Sequence, residues 1–486
     1  MLSHPLMRIG VALFGVVATL VCECAAKESA KRTNLVFILT DNHGPWTLGC
    51  YGNPDIRTPN IDRLAAEGMR FTHAFSSNAV CSPTRATFLT GLIPSQHGVH
   101  CFIANAAQVG PEAYNTIGEF RSLGEILRDS GYSCGLSGKW HLGANQTPQS
   151  GFDSLWITKP VGSSAEFYDQ DVIENGEIRK ESQYLTDLWT DRGVEFIEKN
   201  KDRPFFLYLA YNGPYGLSKL LLNEARNRHA AFYADKELKS FPREPMHPWL
   251  FNNREYLNNP VSIRRYAAEI SGIDDGVGRI LATLKRHRLD HNTLVVFAAD
   301  QGLAGGQGGF WGMGDHTRPL TAYDWTMHIP LIFRQPGKVA AGKVCDKLVS
   351  NYDFLPTVVS YLGIASEEAL SRSPGRDLKA ILQTGVGAPQ HDDAIFFEFE
   401  TVRAVRTRSH KLIVRKRDGL NELFDLAADP GERTNLYDSP QHAALQTELR
   451  GKLDTFFEKY ADPQYNLWNG GRSKAPLHSQ KIVPEK

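Results

Sequence analysis

The chain has 486 residues, of which 42% are hydrophobic and 22% are charged, and its 54 basic residues balance its 54 acidic ones. This balance argues against nucleic acid or an anionic membrane as a bulk partner, and the composition is that of an ordinary globular protein. The length fits two or three domains, or one large α/β domain with an appendage.

The N-terminus has the features of a secretory signal. Arg8 precedes the apolar run IGVALFGVVATLV, and small residues follow in CECAAKESA. This order predicts a signal peptide over residues 1–26, with cleavage after Ala26, and a secreted or periplasmic protein. The run is short for a membrane span, and lipidation at Cys22 or Cys24 is a weaker alternative. We expect no membrane span after signal cleavage.

Removal of the signal leaves an odd number of cysteines: Cys50, Cys81, Cys101, Cys134 and Cys345. In an oxidising compartment, disulfide pairing would leave at least one of them free in the monomer. Five cysteines are also too few to form the framework of so long a chain. The sequence therefore predicts a separate task for one cysteine.

Four apolar runs end abruptly in polar residues, as strands buried on both faces of a parallel sheet do. The runs are NLVFILT, YSCGLSG, PFFLYLAY and TLVVFAA. Helical patterns lie between them. TPNIDRLAAEG has Thr58 as its N-cap and Pro59 in the first turn, and SLGEILRDSG opens with a capping box of Ser122 and Glu125. SIRRYAAEISGIDDGVGRILATLKRH is a longer helical pattern. This alternation predicts an α/β fold with a large mixed, mostly parallel sheet between layers of helices. Ligands bind at the carboxyl ends of such strands, so we expect the polar clusters to converge.

A second region follows the Gly/Pro-rich stretch TGVGAPQHDD. AIFFEFE, VRAVRTRSHKLIVRK and NELFDL are typical of short strands, and a helix is predicted from about Pro440 to Tyr460. We expect a large N-terminal domain over residues 33–385 and a C-terminal subdomain, one antiparallel sheet plus one helix, over residues 390–465. Residues 466–486 are expected to form a polar, loosely ordered tail.

The stretch NAVCSPTRATFLTG places a cysteine where a helix begins. Pro83 suits the first turn and Gly91 the end of the helix, so Cys81 is expected just before its N-terminus. Backbone N–H groups and the helix dipole favour an anion there, and Arg85, one turn further on, can point to the same spot. The stretch therefore predicts an anion cradle with a cysteine at its edge. Position alone is equally consistent with a buried thiol before an ordinary helix.

In this stretch the chain resembles the formylglycine-dependent type I sulfatases of the alkaline phosphatase superfamily. Their motif C-[ST]-P-x-R is matched by CSPTR, from Cys81 to Arg85, and its extension by ATFLTG. The resemblance implies an alkaline-phosphatase-like fold and a maturation enzyme that oxidises Cys81 to formylglycine, an aldehyde. It further implies that one hydroxyl of the hydrated aldehyde attacks sulfur and that the other later expels sulfate.

Two strand ends carry oxygen-bearing side chains, Asp41 and Asn42 in TDNHG and Asp300 and Gln301 in ADQGL. Carboxylate and amide oxygens without soft ligands suit a hard cation, Ca²⁺ or Mg²⁺, although isolated pairs of this kind more often cap strand ends. The resemblance implies a metal held by these four residues together with residue 81. Asn42 replaces the more usual Asp, and Gln301 stands where Asn or His is common, so the site carries less negative charge.

The motif SGKWHLG places Lys139 and His141 two residues apart, so at strand spacing both side chains leave the same face. A lysine can hold a sulfate oxygen, and a histidine can orient or deprotonate a nucleophilic hydroxyl. Two polar residues of a surface loop would have the same pattern. G-K-W-H-L-G recurs in sulfatases in those catalytic roles, and the resemblance implies the same roles here.

Two other positions depart from the family pattern. Tyr215 follows Pro214, at a position where sulfatases commonly have a histidine. Tyrosine can donate a hydrogen bond to substrate, but it is a weak acid near neutral pH. Pro319 stands where the family usually has a lysine, and Arg318 precedes it. Arg318 could bind sulfate with two nitrogens, but it is a poor proton donor. His316 is then the candidate general acid, and a loop histidine without a catalytic role is the alternative.

The leading hypothesis is a secreted sulfatase that hydrolyses sulfate monoesters of a carbohydrate. In it, Arg85 and the metal polarise the formylglycine hydrate, Lys139 and Arg318 hold sulfate, and His141 assists the nucleophile. The expected partners are a sulfated carbohydrate and the maturation enzyme acting on Cys81. Two alternatives stay open, a phosphodiesterase or phosphonate hydrolase of the same superfamily and a catalytically silent carbohydrate-binding protein on the sulfatase scaffold.

Overall fold

The computed structural model describes residues 32–162, 166–385, 394–416 and 420–479. The predicted signal peptide and most of the Gly/Pro-rich stretch lie outside the described residues. The strands, in chain order, are β1 (Asn34–Asp41), β2 (Met69–Phe75), β3 (Ser133–Gly138), β4 (Leu155–Thr158), β5 (Gln170–Glu174), β6 (Glu177–Glu181), β7 (Phe205–Pro214), β8 (Thr293–Ala299), β9 (Ala304–Gly305), β10 (Trp311–Gly312), β11 (Leu331–Arg334), β12 (Lys343–Ser350), β13 (Ala394–Phe399), β14 (Val402–Thr407), β15 (His410–Arg415) and β16 (Glu422–Asp425).

The helices are α1 (Pro59–Ala66), α2 (Cys81–Thr90), α3 (Pro94–His97), α4 (Asn105–Gln108), α5 (Leu123–Asp129), α6 (Leu185–Asn200), α7 (Ala230–Tyr233), α8 (Pro260–Arg286), α9 (Asp324–Met327), α10 (Phe354–Leu362), α11 (Glu367–Leu370), α12 (Lys379–Thr384) and α13 (Ala443–Tyr460). The capping box before α5 is present, because Ser122 N–H donates to Glu125 Oε2 at 2.9 Å and Glu125 N–H donates back to Ser122 Oγ. Helix α2 begins at Cys81 itself, one residue earlier than predicted, and Gly91 ends it in the left-handed conformation.

The main sheet has ten strands in the order β12-β2-β11-β8-β1-β7-β3-β4-β5-β6. Its centre is parallel: β1 pairs with β8 on one side and β7 on the other, and β3 and β4 continue the set. Strand β11 is antiparallel to both neighbours, and β5 and β6 form an antiparallel edge. The predicted large mixed, mostly parallel sheet is confirmed.

Both faces of this sheet are covered, which is why its central strands are apolar throughout. Leu35, Phe37 and Leu39 of β1 face one core, whereas Val36 and Ile38 face the other. Helices α2, α5 and α10 contribute to the first core, and α1, α6 and α8 contribute to the second. Polar residues that follow the parallel strands therefore meet at one edge of a rigid, two-sided scaffold.

The C-terminal subdomain is the predicted antiparallel sheet, in the order β13-β14-β15-β16, with α13 packed on one face. Its other face joins the core of the main sheet, where the Phe397 and Phe75 rings meet edge to face at 6.0 Å. Lys411 of β15 also forms an ion pair with Asp324 of α9 at 2.9 Å. The two predicted domains are therefore packed together across a shared interior.

The tail differs from its predicted loose order as far as the structure describes it. Asp462 N–H donates to Ser95 O at 2.9 Å, and Lys474 N–H donates to Gly98 O at 2.8 Å, so residues 466–479 run back along the main domain. Among the described residues, no helix combines the length and hydropathy that a membrane span needs. All five described cysteines are unpaired.

Candidate active site

Three parallel strands bring the predicted polar residues to one edge of the sheet. Asp41 is the last residue of β1, Asp300 directly follows β8, and Lys139 directly follows β3. Asn42 leaves β1 in the left-handed conformation, with φ 57°, and its N–H donates to Asp300 Oδ1 at 3.1 Å. Side chains from three separate motifs therefore form one buried cluster.

Cys81 lies at the start of helix α2 and points into this cluster. Its Sγ is 3.9 Å from Asp41 Oδ1 and 3.5 Å from Gln301 Nε2, and the residue is 2% exposed. Burial, with the nearby carboxylate of Asp41 as a further cause, raises the pKa of the Cys81 thiol to about 12. The unmodified side chain is therefore a neutral thiol at physiological pH, which is a weak nucleophile.

Arg85 ties α2 to both acidic strand ends. Its Nε and Nη2 donate to Asp300 Oδ2 at 3.0 and 2.8 Å, and Nη2 also donates to Asp41 Oδ2 at 3.3 Å. Its Nη1 donates to the carbonyl of Lys139 at 2.7 Å. The fully buried guanidinium thus holds three strand ends in place, and it partly neutralises the two carboxylates.

Lys139 and Tyr215 complete the side of the site next to Asp41. The Lys139 ammonium forms an ion pair with Asp41 Oδ2, and its Nζ lies 5.6 Å from the centre of the Tyr215 ring. Tyr215 N–H donates to Asp41 O at 3.0 Å, and its carbonyl accepts from Asn42 Nδ2 at 2.8 Å. Tyr215 is therefore part of the cluster, mainly through its backbone.

The two amides that depart from the family pattern are in direct contact. Gln301 Nε2 donates to Asn42 Oδ1 and lies 3.1 Å from Met313 Sδ, while Gln301 Oε1 accepts from Thr84 Oγ1 at 3.3 Å. Met313 belongs to the glycine-rich stretch QGLAGGQGGFWGMG, residues 301–314, so this contact joins the end of that stretch to the cluster. Thr84, in the x position of the motif, was not predicted as a site residue, because that position carries no residue preference.

The two carboxylates of the cluster fit a hard divalent cation, and the formylglycine that we propose below would replace the Cys81 sulfur with oxygen. One oxygen of Asp41, one oxygen of Asp300 and Cys81 Sγ lie within 4.8 Å of one another, which matches ligands around an ion bound at about 2.3–2.6 Å. Burial and the charge of Asp41 raise the pKa of Asp300 to about 6, and a bound cation would offset both causes. Asn42 Oδ1 lies beside the carboxylates, whereas Gln301 turns its Nε2 toward Cys81 and would have to rotate its amide to offer an oxygen to a cation.

His141 is 3% exposed, and its Nδ1 is buried without a hydrogen-bond partner among the described residues. Burial, and to a smaller extent the charges of Lys139 and Arg85, lower the pKa of His141 well below its ordinary value. The imidazole is therefore neutral at physiological pH. A buried nitrogen without a partner is costly, so this ring has a free position for one more hydrogen bond.

His316 and Arg318 lie further out. Met313 N–H donates to His316 Nδ1 at 3.1 Å, and Arg318 Nη1 donates to the carbonyls of Asp315 and Thr317 at 2.8 and 2.7 Å. Within the described parts of the chain, neither side chain hydrogen-bonds to Asp41, Asp300 or their partners. Burial lowers the pKa of His316, although Asp315 opposes this effect. Both residues lie in the loop that follows Met313, residues 314–318, which we call the rim of the site.

Sequence reasoning missed a second lysine at this edge. Lys159 directly follows β4, the neighbour of β3, and its Nζ donates to Gln170 Oε1 at 3.2 Å. Burial and the charge of Lys139 lower the pKa of Lys159 to about 8. The available signal was its position, since it follows the apolar run LWIT as Lys139 follows its own strand.

Comparison with known proteins shows the family of this chain. The family profile described as Sulfatase matches residues 33–364, more than half of the chain, and the profile described as N-sulphoglucosamine sulphohydrolase, C-terminal, matches residues 312–459. The N-acetylglucosamine-6-O-sulfatase of Bacteroides thetaiotaomicron is 27% identical over 91% of this chain and 89% of its own. The N-acetylgalactosamine-6-sulfatase of Rattus norvegicus is 32% identical over 70% of this chain and 64% of its own.

Among solved structures, a protein in complex with its substrate D-glucosamine-2-N,6-O-disulfate superposes with a TM-score of 0.70 and 25% identity. The match covers 88% of this chain and 98% of that chain, so both the main sheet and the C-terminal subdomain are included. The chain belongs to the sulfatase family of the alkaline phosphatase superfamily, and it is a sulfuric ester hydrolase.

Proposed function

We propose that this sulfatase hydrolyses sulfate monoesters of a carbohydrate, using a formylglycine made from Cys81 and a divalent cation. The observation that carries the proposal is the position of Cys81 Sγ, 3.9 Å from Asp41 Oδ1 and 3.5 Å from Gln301 Nε2 at the start of a helix. In that position the hydrated aldehyde would supply both the hydroxyl that attacks sulfur and the hydroxyl that expels sulfate. The sequence motif from Cys81 to Arg85 supports the same modification.

The residues around Cys81 have distinct tasks in this proposal. Lys139, which is buried beside Asp41, binds an oxygen of the sulfate group. His141, held neutral by burial and by two cations, accepts the proton of the nucleophilic hydroxyl. Arg85 keeps the carboxylates of Asp41 and Asp300 in place, because its nitrogens are directed to protein oxygens.

Asp41, Asn42, Asp300 and Gln301 would hold the cation, which is Ca²⁺ or Mg²⁺ by the hardness of its ligands. When bound, it would supply a Lewis acid next to residue 81 and the sulfate group. The two amides leave the site with two negative side chains. Arg85 already pairs with both of them, and Lys139 pairs with Asp41. We therefore propose weaker cation binding than a site with three carboxylates would give.

We propose His316 as the general acid that protonates the leaving oxygen. Because Met313 N–H donates to Nδ1, the neutral ring carries its proton on Nε2, which is the nitrogen left for the leaving oxygen. Asp315 Oδ1 is 3.1 Å from His316 Nδ1 and favours the protonated ring. Arg318 would bind sulfate only through guanidinium nitrogens other than Nη1, which the loop carbonyls occupy.

The substrate class we propose is a 6-O-sulfated N-acetylhexosamine. Two relatives that match most of this chain are named as 6-sulfatases of N-acetylglucosamine and of N-acetylgalactosamine. Both sugars carry this sulfate on C6, which lies outside the sugar ring and can rotate. A buried nucleophile reaches such a sulfate more easily than one attached to a ring carbon. We also propose that residues 1–26 direct the protein to the periplasm or the exterior, where such glycans occur.

The test begins with protein made in a host that contains the maturation enzyme. Mass spectrometry of the tryptic peptide Phe71–Arg85 should show the loss in mass from thiol to aldehyde, and a hydrazine reagent should trap the product. The converted protein should release sulfate from 6-sulfated N-acetylhexosamines faster than it cleaves phosphate diesters or phosphonate esters. An unmodified thiol, in a host that converts a control sulfatase, would contradict the mechanism, and preferred phosphonate hydrolysis would favour the rival function.

A further inference from the structure

The last described residues, 473–479, which we name the C-terminal segment, are fixed to the main domain. Tyr114 Oη donates to the carbonyl of Lys474 at 2.8 Å, and Lys474 Nζ donates to the carbonyl of Thr116 at 2.7 Å. Ala475 and Leu477 are buried. The segment therefore has a defined course over the surface, with both polar and apolar contacts.

Its end is held by a buried carboxylate. Glu400, in the turn between β13 and β14, is fully buried and accepts the N–H groups of His478 and Ser479, each at 2.8 Å. Hydrogen bonds from backbone N–H groups to a charged oxygen are strong, and two of them to one side chain fix the local direction of the chain. The position of the His478 side chain is consequently determined by the fold of the C-terminal subdomain.

The His478 ring lies between two parts of the main domain. Its Nε2 is 3.8 Å from Asp315 Oδ2, and its ring centre is 5.1 Å from that of Phe102, at an angle of 60°. Asp315 in turn lies 3.1 Å from Nδ1 of His316. Phe102 is 36% exposed, although it is a large apolar side chain. The pair of His478 and Phe102 therefore presents an aromatic surface beside the rim residue His316.

Two short routes connect this pair to the reaction centre. On one side, Ile103 N–H, next to Phe102, donates to Oγ of Ser82, which adjoins Cys81. On the other side, Asp315 belongs to the loop that also holds Met313, whose Sδ is 3.1 Å from Gln301 Nε2. Both routes lead from the immediate neighbours of Cys81 to residues in contact with His478, so this surface lies close to the reaction centre.

We propose that His478 and Phe102 form a binding subsite for the sugar of the sulfated substrate. The ring of Phe102 offers an apolar face for the C–H groups of a sugar, and the His478 imidazole offers a nitrogen to a hydroxyl. The proposal rests on the proposed carbohydrate sulfatase function and adds two residues of substrate specificity to it. It also assigns a task to the C-terminal segment, which is to complete the active-site rim.

The test separates sugar binding from chemistry. In protein carrying Cys81→Ala, which binds without turnover, isothermal titration with a 6-sulfated N-acetylhexosamine should show about tenfold weaker affinity after His478→Ala or Phe102→Ala. In converted enzyme, the same variants should raise KM for this sugar with kcat little changed, and leave kcat/KM for a small aryl sulfate unchanged. His291→Ala, an exposed histidine before β8 at the opposite edge of the sheet, is the matched control.

A second variant is needed because His478→Ala could change the course of the C-terminal segment as well as remove the imidazole. Glu400→Gln keeps the shape of the side chain but leaves one acceptor oxygen for the two N–H groups of His478 and Ser479, so one hydrogen bond is lost and the other is weakened. This variant should reproduce the loss of sugar affinity. Equal affinity in all variants, in an enzyme that hydrolyses the sugar sulfate, would overturn the subsite and leave the proposed function intact. If the unmutated enzyme neither binds nor hydrolyses any sulfated sugar, the proposed function fails and the subsite fails with it.

Discussion

Arg85 donates two hydrogen bonds to one carboxylate oxygen of Asp300, from Nε at 3.0 Å and from Nη2 at 2.8 Å. Because Arg85 lies one turn after Cys81 in α2 and Asp300 follows β8, this pair fixes the helix of residue 81 to the centre of the sheet. Both side chains are fully buried, so water does not weaken their attraction. Loss of either partner would leave an uncompensated charge inside the protein.

Arg85→Lys should therefore lower kcat at least about 100-fold, because a lysine cannot reproduce the two-nitrogen grip that positions the reaction centre. Arg85 is also part of the maturation motif, so the formylglycine fraction must be measured by mass spectrometry and rates expressed per converted molecule. Arg128→Lys, an exposed change in α5, is the control. A rate per converted molecule within twofold of the unmutated enzyme would show that the grip is dispensable.

Asn42→Asp should strengthen divalent cation binding, because it adds a third carboxylate to the predicted site. We expect about tenfold tighter binding of Ca²⁺ or Mg²⁺, measured by titration calorimetry on Cys81→Ala protein so that conversion and turnover play no part. Asp300→Asn should weaken binding in the same assay. Asn469→Asp, on the exposed surface, controls for net charge. If Asn42→Asp protein bound the cation no more tightly than protein with Asn42, the cation would not bind beside residue 42.

The pH profile should report the neutral state of His141. Because burial and two cations lower the pKa of His141, the ring binds a proton only below its ordinary value of about 6.5. Activity should thus persist as the pH falls through about 6.5 and decline only in more acidic solution. The measurement is kcat/KM between about pH 4.5 and 9, with His141→Gln expected to lose about 100-fold or more. An acid limb centred at or above about 6.5 would contradict this assignment.

Lys411→Met should destabilise the protein by about 3–5 kcal/mol, because it removes the cation between two carboxylates. Lys411 is fully buried and forms ion pairs with Asp324 and Glu432, each at 2.9 Å. The free energy of unfolding in urea is the measurement. Lys452→Met, which breaks an exposed pair within α13, should cost about 0.3–0.5 kcal/mol. Equal losses for the two variants would mean that the interior triad contributes no more than a surface pair.

The fold and the centre of the site could be predicted from the sequence because the signals are local. Each central strand is a continuous apolar run, and each is followed at once by its functional residue, as β1 is by Asn42 and β3 by Lys139. A parallel sheet then brings these positions together without further information. The contact of Cys81 with Asp41 and Gln301 follows from that arrangement.

The rim could not be predicted in this way, because it depends on segments that are distant in the chain and irregular in structure. Nothing near His478 in sequence indicates that Glu400 holds it or that Asp315 and Phe102 lie beside it. The direction of Arg318 Nη1, toward the carbonyls of its own loop, likewise depends on side-chain packing that a motif does not encode. Polar composition alone suggested a loose tail, whereas a few buried contacts determine its course.

Every residue of helix α2 is buried, including the whole motif from Cys81 to Arg85. No second protein could read that motif in the folded state, since its side chains are covered by the sheet and the neighbouring helices. The conversion we propose therefore has to take place on the newly made chain, before folding is complete. During biosynthesis, modification of Cys81 would then compete kinetically with folding. A molecule that folded before modification would keep its thiol and remain inactive.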